Sequence, residues 1–164
     1  MVTLEQLYEP ISRELKVYRE KFEAALQHED DLLGQVLGHV RRRNGKMMRP
    51  VLVLLVAREF GTVGEAAYRS AITLELLHTA SLLHDDVVDE SNERRGQSSV
   101  NAVYDNKIAV LVGDYILSTS LEQATLTDSM RIVRRISSLG KLLSDGEVKQ
   151  IANIKNHAIS EQSY

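Results

Sequence analysis

Leu82-Leu83-His84-Asp85-Asp86-Val87-Val88-Asp89-Glu90-Ser91-Asn92-Glu93-Arg94-Arg95-Gly96 closes an apolar run that begins near Ile72. Ile72, Leu74, Leu76, Leu77, Leu82 and Leu83 fall around most of a helical circumference. That pattern predicts a helix buried on nearly all sides. Asp85, Asp86 and Asp89 then stand at i, i+1 and i+4 near its end, and two adjacent guanidiniums follow. Buried carboxylates need counter-charges or metals. Acidic and basic groups this close on a bare surface would largely cancel. Around a ligand that is itself anionic and brings divalent cations, both have a use.

A diphosphate with Mg²⁺ is the simplest such ligand. Mg²⁺ takes oxygen donors, usually one or two carboxylates plus phosphate oxygens and water. Asp85, Asp86 and Asp89 are the expected metal ligands, and Asp85 and Asp89 lie one turn apart. Arg94 and Arg95 suit phosphate because guanidinium binds it bidentately and stays charged. His78 lies about two turns before Asp85 and shares its face, where it can hydrogen-bond an anion beside the metal. His84 points about 100° away from Asp85 on an ideal helix and reads as structural. An acidic helix end followed by a solvated basic loop is the plain alternative. The apolar run leading directly into the aspartates argues against it.

A second constellation is Gly45-Lys46-Met47-Met48-Arg49-Pro50. Pro50 fits the first turn of a helix, where a missing N–H is harmless. Lys46 and Arg49 then stand at a helix N-terminus, which already favours anions. Gly45 lets the backbone pass close to a ligand. Arg41, Arg42 and Arg43 read as mostly solvated. The pattern lacks the glycine spacing of a P-loop.

With these residues in view, the chain resembles the trans-isoprenyl diphosphate synthases, or polyprenyl synthases. Gly45-Lys46 with Arg49-Pro50 is similar to their first basic motif. Leu74-Glu75 through His78, Ser81-Leu82 and residues 85–96 are similar to their first aspartate-rich motif. Val112-Gly113-Asp114 and Gly146-Glu147 with Gln150 match two lesser landmarks. The resemblance implies an all-α bundle of mostly antiparallel helices around a central cavity. It implies a prenyltransferase that joins an allylic diphosphate to isopentenyl diphosphate, as a homodimer with Mg²⁺. Asp85, Asp86, Asp89 and Arg94 would hold the allylic diphosphate; Gly45, Lys46, Arg49, His78 and Arg95 would hold isopentenyl diphosphate.

The family also carries a Lys-Thr pair, a second aspartate-rich motif and a further lysine downstream, which this sequence lacks. Residues 147–163 read as a helix in progress, with Ile151, Ile154, Ala158 and Ile159 at helical spacing. Residues 1–164 are therefore expected to be the N-terminal part of one synthase domain, with activity expected of the complete protein. Product length is expected to be set by residues one and two turns before Asp85. Ala80 and Ser81 are small and Leu77 is intermediate, which predicts a long-chain product.

Other classes fit less well. A His-Asp phosphohydrolase would need a histidine cluster, and His39 and His157 lie in poor contexts for one. A non-catalytic partner subunit would not need the full aspartate motif. An EF-hand is excluded by the missing turn glycine. A formal net charge of −3 gives no pull toward nucleic acid. There is no cysteine, so disulfides and thiolate metal sites are absent from the options. No apolar run approaches a membrane span, and the polar N-terminus does not read as a signal peptide, so a cytoplasmic location is the expectation.

Periodicity lays out the helices. Thr3 with Gln6 reads as a capping box opening a helix to about His28, which Pro10 should kink or split. Its stripe is Leu4, Leu7, Ile11, Leu15, Tyr18 and Phe22. Further helices are expected over 30–41, 50–60 with Gly61 as the stop, 64–90, 107–126, and from Asp128 onward with Asp128 as the cap. Residues 91–106 read as a loop with room for a short helix.

Overall fold

The computed structural model describes residues 6, 8–29, 31–42, 45, 47–94 and 96–155. The expected cap Thr3, Leu4 and Leu7 of the first stripe, Arg43, Lys46, Arg95, His157, Ala158, Ile159 and the side chain of Ile154 lie outside the described residues. Among the described residues seven α-helices carry the fold: α1 (Ser12–Ala25), α2 (Leu32–Arg42), α3 (Met48–Glu59), α4 (Glu65–Val88), α5 (Val100–Val103), α6 (Asn106–Thr125) and α7 (Met130–Lys155). A 3-10 turn, Glu9–Ile11, precedes α1 and contains Pro10. Pro10 thus splits the first helical segment, because proline carries no N–H for an α-helical bond.

The core forms around α4. Its sequence between Glu65 and Val88 has no glycine or proline, and Gly64 and Glu90 bound it. Glu90 takes φ +50, which a continuing helix cannot accept. Ala71, Ile72, Thr73, Leu76, Leu77, Ala80, Leu83 and Asp86 are buried and cover about two thirds of the circumference, while Leu74, His78, Ser81 and Asp85 share the remaining, half-buried face. α4 packs most extensively on α6 and next on α3. The buried face of α6 is rich in small residues, with Ala109, Gly113, Ser120 and Ala124 among them. Small side chains let the two backbones approach closely. Ile11, Leu15 and Tyr18 bury the first stripe, with Phe22 half-buried beside them.

Two polar ties fix α4 against α6. Ser120 Oγ donates to the Thr73 carbonyl at 2.9 Å, and Arg69 Nη1 donates to Gln123 Oε1 at 2.6 Å. In a buried interface such bonds satisfy groups that would otherwise lose water for nothing.

The segment between α4 and α6 holds more order than its sequence suggests. A short antiparallel hairpin pairs β1 (Glu93–Arg94) with β2 (Gln97–Ser98). Gly96 closes it at φ +76, a conformation glycine adopts without steric penalty. Ser99 caps α5 by accepting from Ala102 N–H and anchors it by donating to the Ser91 carbonyl at 2.7 Å. Asp105 caps α6 through Ile108 N–H at 2.8 Å. Among the described residues no helix is long and apolar enough to cross a membrane.

Asp128 is not the cap of α7. It sits in the turn after α6 at φ +53, and the carbonyl of Ser129 accepts the first helical bonds from Ile132 and Val133. Asp128 is exposed, so its main contribution is backbone strain. The two roles predict opposite signs. A cap replaced by glycine loses stability, whereas Asp128→Gly here should gain about 0.5–1 kcal/mol by relieving a left-handed residue. Urea unfolding decides between them, and a loss on substitution would restore the capping role.

Candidate active site

The aspartates sit where α4 emerges from the core. Asp85 and Asp86 lie in the last turn, and Asp89 is the C-cap, with its N–H bonded to the Asp85 carbonyl at 2.8 Å. Neighbouring helical residues diverge by about 100°, so Asp85 and Asp86 meet different surroundings. Asp86 turns inward and is 1% exposed. Its Oδ1 accepts from Arg94 Nε at 2.6 Å. Asp85 is half-buried and Asp89 exposed.

The expected trio therefore divides. Asp86 is paired with Arg94 inside the protein, whereas Asp85 and Asp89 stand nearer the surface. Among the described residues no three histidine, aspartate or glutamate side chains converge as a preformed metal cluster. A hard dication that keeps phosphate and water in its shell needs only one or two carboxylates. The donor set of Asp85 and Asp89 fits that requirement.

Charge around Asp85 is unfavourable for its ionised form. Burial pushes its carboxyl above the usual range, and negative charge on Glu147, Asp89 and Asp86 adds to the rise. Arg94 opposes it. Glu147 comes from α7, so the far helix contributes to the same field. A divalent cation would reverse the balance.

The hairpin delivers Arg94 to this site. Its Nε is committed to Asp86, while its two Nη groups bond no described residue. Asn101 Nδ2 binds the Ser91 carbonyl at 3.1 Å, and the Ser91 N–H binds the Asp86 carbonyl at 2.9 Å, which fastens the loop back onto α4. On the other side His39 Nε2 donates to the Ser98 carbonyl at 3.0 Å, and its ring packs edge-on against Tyr104. His39 thus ties α2 to the hairpin, which accounts for it without any metal.

The basic motif lies at the start of α3. Met47 is the residue before the helix, in a left-handed conformation, and no side chain caps the N-terminus. A strained non-glycine residue beside uncapped N–H groups is an arrangement associated with ligand binding. Arg49 is exposed in the first turn, and Gly45 is half-buried. A cavity of about 610 Å³ brings Gly45 and Met47 together with Tyr18, Phe22, Glu75 and Thr79. Glu75 and Thr79 flank the half-buried His78 on α4. Burial and the neighbouring Glu75 push the Tyr18 phenol upward, so it stays neutral. Of the residues expected to set product length, Ala80 and Leu77 are buried, whereas Ser81 is half-buried one turn before Asp85.

Two contributions were not assigned to the site from sequence. Glu147 stood out only as a minor motif. His84 lies 3.3 Å from Asp114 Oδ1, a contact between α4 and α6 that helical spacing cannot reveal.

Comparison with known proteins agrees with this geometry. Residues 30–164 match the family profile described as polyprenyl synthetase. Over its full length the chain is 32% identical to octaprenyl diphosphate synthase from Haemophilus influenzae, of which it covers 50%. It superposes on a polyprenyl synthase from Caulobacter crescentus complexed with calcium and isoprenyl diphosphate at TM-score 0.91 and 26% identity, covering 99% of this chain and 49% of that one. A geranylgeranyl pyrophosphate synthase from Bacteroides thetaiotaomicron is 46% identical at TM-score 0.76, with coverage of 96% and 46%. The chain spans about half the length of the curated relatives it matches.

The field at Asp85 has a measurable sign. A carboxyl whose folded-state pKa is raised binds its proton more tightly when folded, so it detracts from stability once pH exceeds its unfolded pKa. Asp85→Asn removes that penalty. Without divalent cations, the variant should be more stable than the parent at neutral pH, and the gap should close in acid where Asp85 is protonated in both states. Thermal unfolding across pH measures the gap. A variant less stable than the parent at neutral pH would contradict the crowding of negative charge.

Proposed function

Since the chain belongs to the polyprenyl synthetase family, we propose that it supplies the two diphosphate sites of a trans-polyprenyl diphosphate synthase. The single observation that carries this is the division of the aspartates. One is paired internally with Arg94, and Asp85 stays crowded by negative charge that the same arginine only partly offsets. That pattern suits a ligand carrying its own cations.

Asp85 and Asp89 hold Mg²⁺ with the diphosphate of an allylic substrate, and Asp86 orients Arg94 toward the same diphosphate. Bound Mg²⁺ neutralises the diphosphate and so makes it a better leaving group. Lys46, Arg49, His78 and Arg95 take isopentenyl diphosphate, with Gly45 allowing close approach at the uncapped start of α3. Opposed binding of the two diphosphates brings the double bond of one substrate to the allylic carbon of the other. A C–C bond forms there, the C–O bond to diphosphate breaks and a proton is lost. The chain contributes no nucleophile. Its apolar helix faces exclude water that would quench a cationic centre.

The chain tail runs back along α4 from Asp85. Ser81, with Ala80 and Leu77 beyond, is small enough to let it pass, which supports a product longer than four isoprene units. Relatives of both octaprenyl and geranylgeranyl type match, so this rests on residues 77–81 and not on resemblance. A homodimer is supported by the exposed apolar side chains Val110, Leu111 and Leu121 on α6. A cytoplasmic location is part of the same reading.

The experiment is product analysis by mass spectrometry on the full-length protein with Mg²⁺ and both diphosphates. The parent should yield products longer than geranylgeranyl diphosphate, and Asp85→Ala or Asp89→Ala should yield none while keeping helicity. Near-parent turnover in either variant would overturn the metal assignment. A product of geranylgeranyl length would overturn the reading of residues 77–81.

A further inference from the structure

The residue before Asp85 has its own contact. His84 leaves α4 toward α6, and its ring lies over the backbone of Gly113. A Cβ at position 113 would overlap Nε2 and come within 2.7 Å of Cδ2 and 3.2 Å of Cε1. Gly113 is inside α6, where glycine is unfavourable unless something needs the space. The ring needs it.

The same ring nitrogen also meets a polar group. Nε2 is shielded from solvent and has no aligned hydrogen bond, yet Asp114 Oδ1 is 3.3 Å away. The space at Gly113 and the polar contact with Asp114 fix the ring together. The Arg69–Gln123 and Ser120–Thr73 ties hold the same helix pair at its far end. His84 and Asp114 tie it at the aspartate end. A slide or rotation of α4 against α6 would have to unseat this ring first.

We propose that His84, Gly113 and Asp114 form a register stop that sets Asp85 against α6, with His84 and Asp114 as positioning residues for the metal carboxylate. The inference rests on Asp85 being a metal ligand. Because His84 and Asp85 are adjacent on one helix, a shift of α4 away from this seat moves the carboxylate with it.

Two readouts on the full-length protein test it. Urea unfolding of Gly113→Ala, His84→Ala and the double variant tests the seat. The double variant should be more stable than Gly113→Ala alone, because removing the ring frees the space for the methyl group. Electron paramagnetic resonance of Mn²⁺ with inorganic diphosphate tests the consequence. Gly113→Ala and Asp114→Ala should each weaken Mn²⁺ binding by about tenfold, the lower end for groups that orient metal ligands. Asp114→Asn keeps the size and polarity of the group beside Nε2 and should restore most of the affinity. Asp114 is 61% exposed, so its variants should fold even where Gly113→Ala does not. Additive stabilities overturn the proposal, as does unchanged Mn²⁺ affinity in Asp114→Ala. A parent without turnover whose Mn²⁺ affinity still falls in the variants supports the register stop and removes the synthase reading instead.

Discussion

A helix that crosses the core and ends in three carboxylates must have their charge balanced, and much of this molecule is arranged around that requirement. Asp86 cannot reach water, so it needs a permanent partner, and Arg94 supplies it at 2.6 Å. The partner must come from a segment that returns to the helix end. The hairpin does so, closed by Gly96 and held by Ser91, Asn101 and His39. Losing one member of a fully buried pair costs about 3–5 kcal/mol, and the half-exposed Arg94 side chain brings the figure for this pair lower. The hairpin and the end of α4 thus depend on one another.

Asp85 and Asp89 have a different solution. Arg94 offsets only part of the charge at Asp85, where Glu147 adds to it. A fold that tolerates such crowding gives up stability at a site where an incoming cation and anion recover it. The basic motif at α3 shows a related economy, with a left-handed Met47 before an uncapped helix. One end of the candidate site holds negative charge that a cation would relieve, and the other holds backbone strain beside uncapped N–H groups that suit an anion.

Most of the fold was legible because long helices leave long patterns. The run from Ile72 to Leu83 announced α4, Pro10 marked the break before α1, and Gly61 marked the end of α3. The hairpin was not legible, since strands of two residues are too short for alternation to register. Asp128 was misread because an aspartate before a helix fits both a cap and a left-handed turn, and only the backbone angle separates them. The aspartate motif marked Asp85, Asp86 and Asp89 but not the different surroundings they meet. Asp85 and Asp86 are neighbours in sequence, and the partners that distinguish them, Arg94 and Glu147, come from elsewhere in the chain. His84 was set aside as structural for the same reason, since Gly113 and Asp114 lie on another helix.

The central claim is that the end of α4 binds a diphosphate only together with its cations. Isothermal titration of inorganic diphosphate into the full-length protein, with Mg²⁺ and then with the metal chelated, tests this directly. Binding should be strong with Mg²⁺ and vanish on chelation. Equal binding in the presence and absence of Mg²⁺ would mean that arginine and lysine alone hold the diphosphate, and the role given to Asp85 and Asp89 would be wrong.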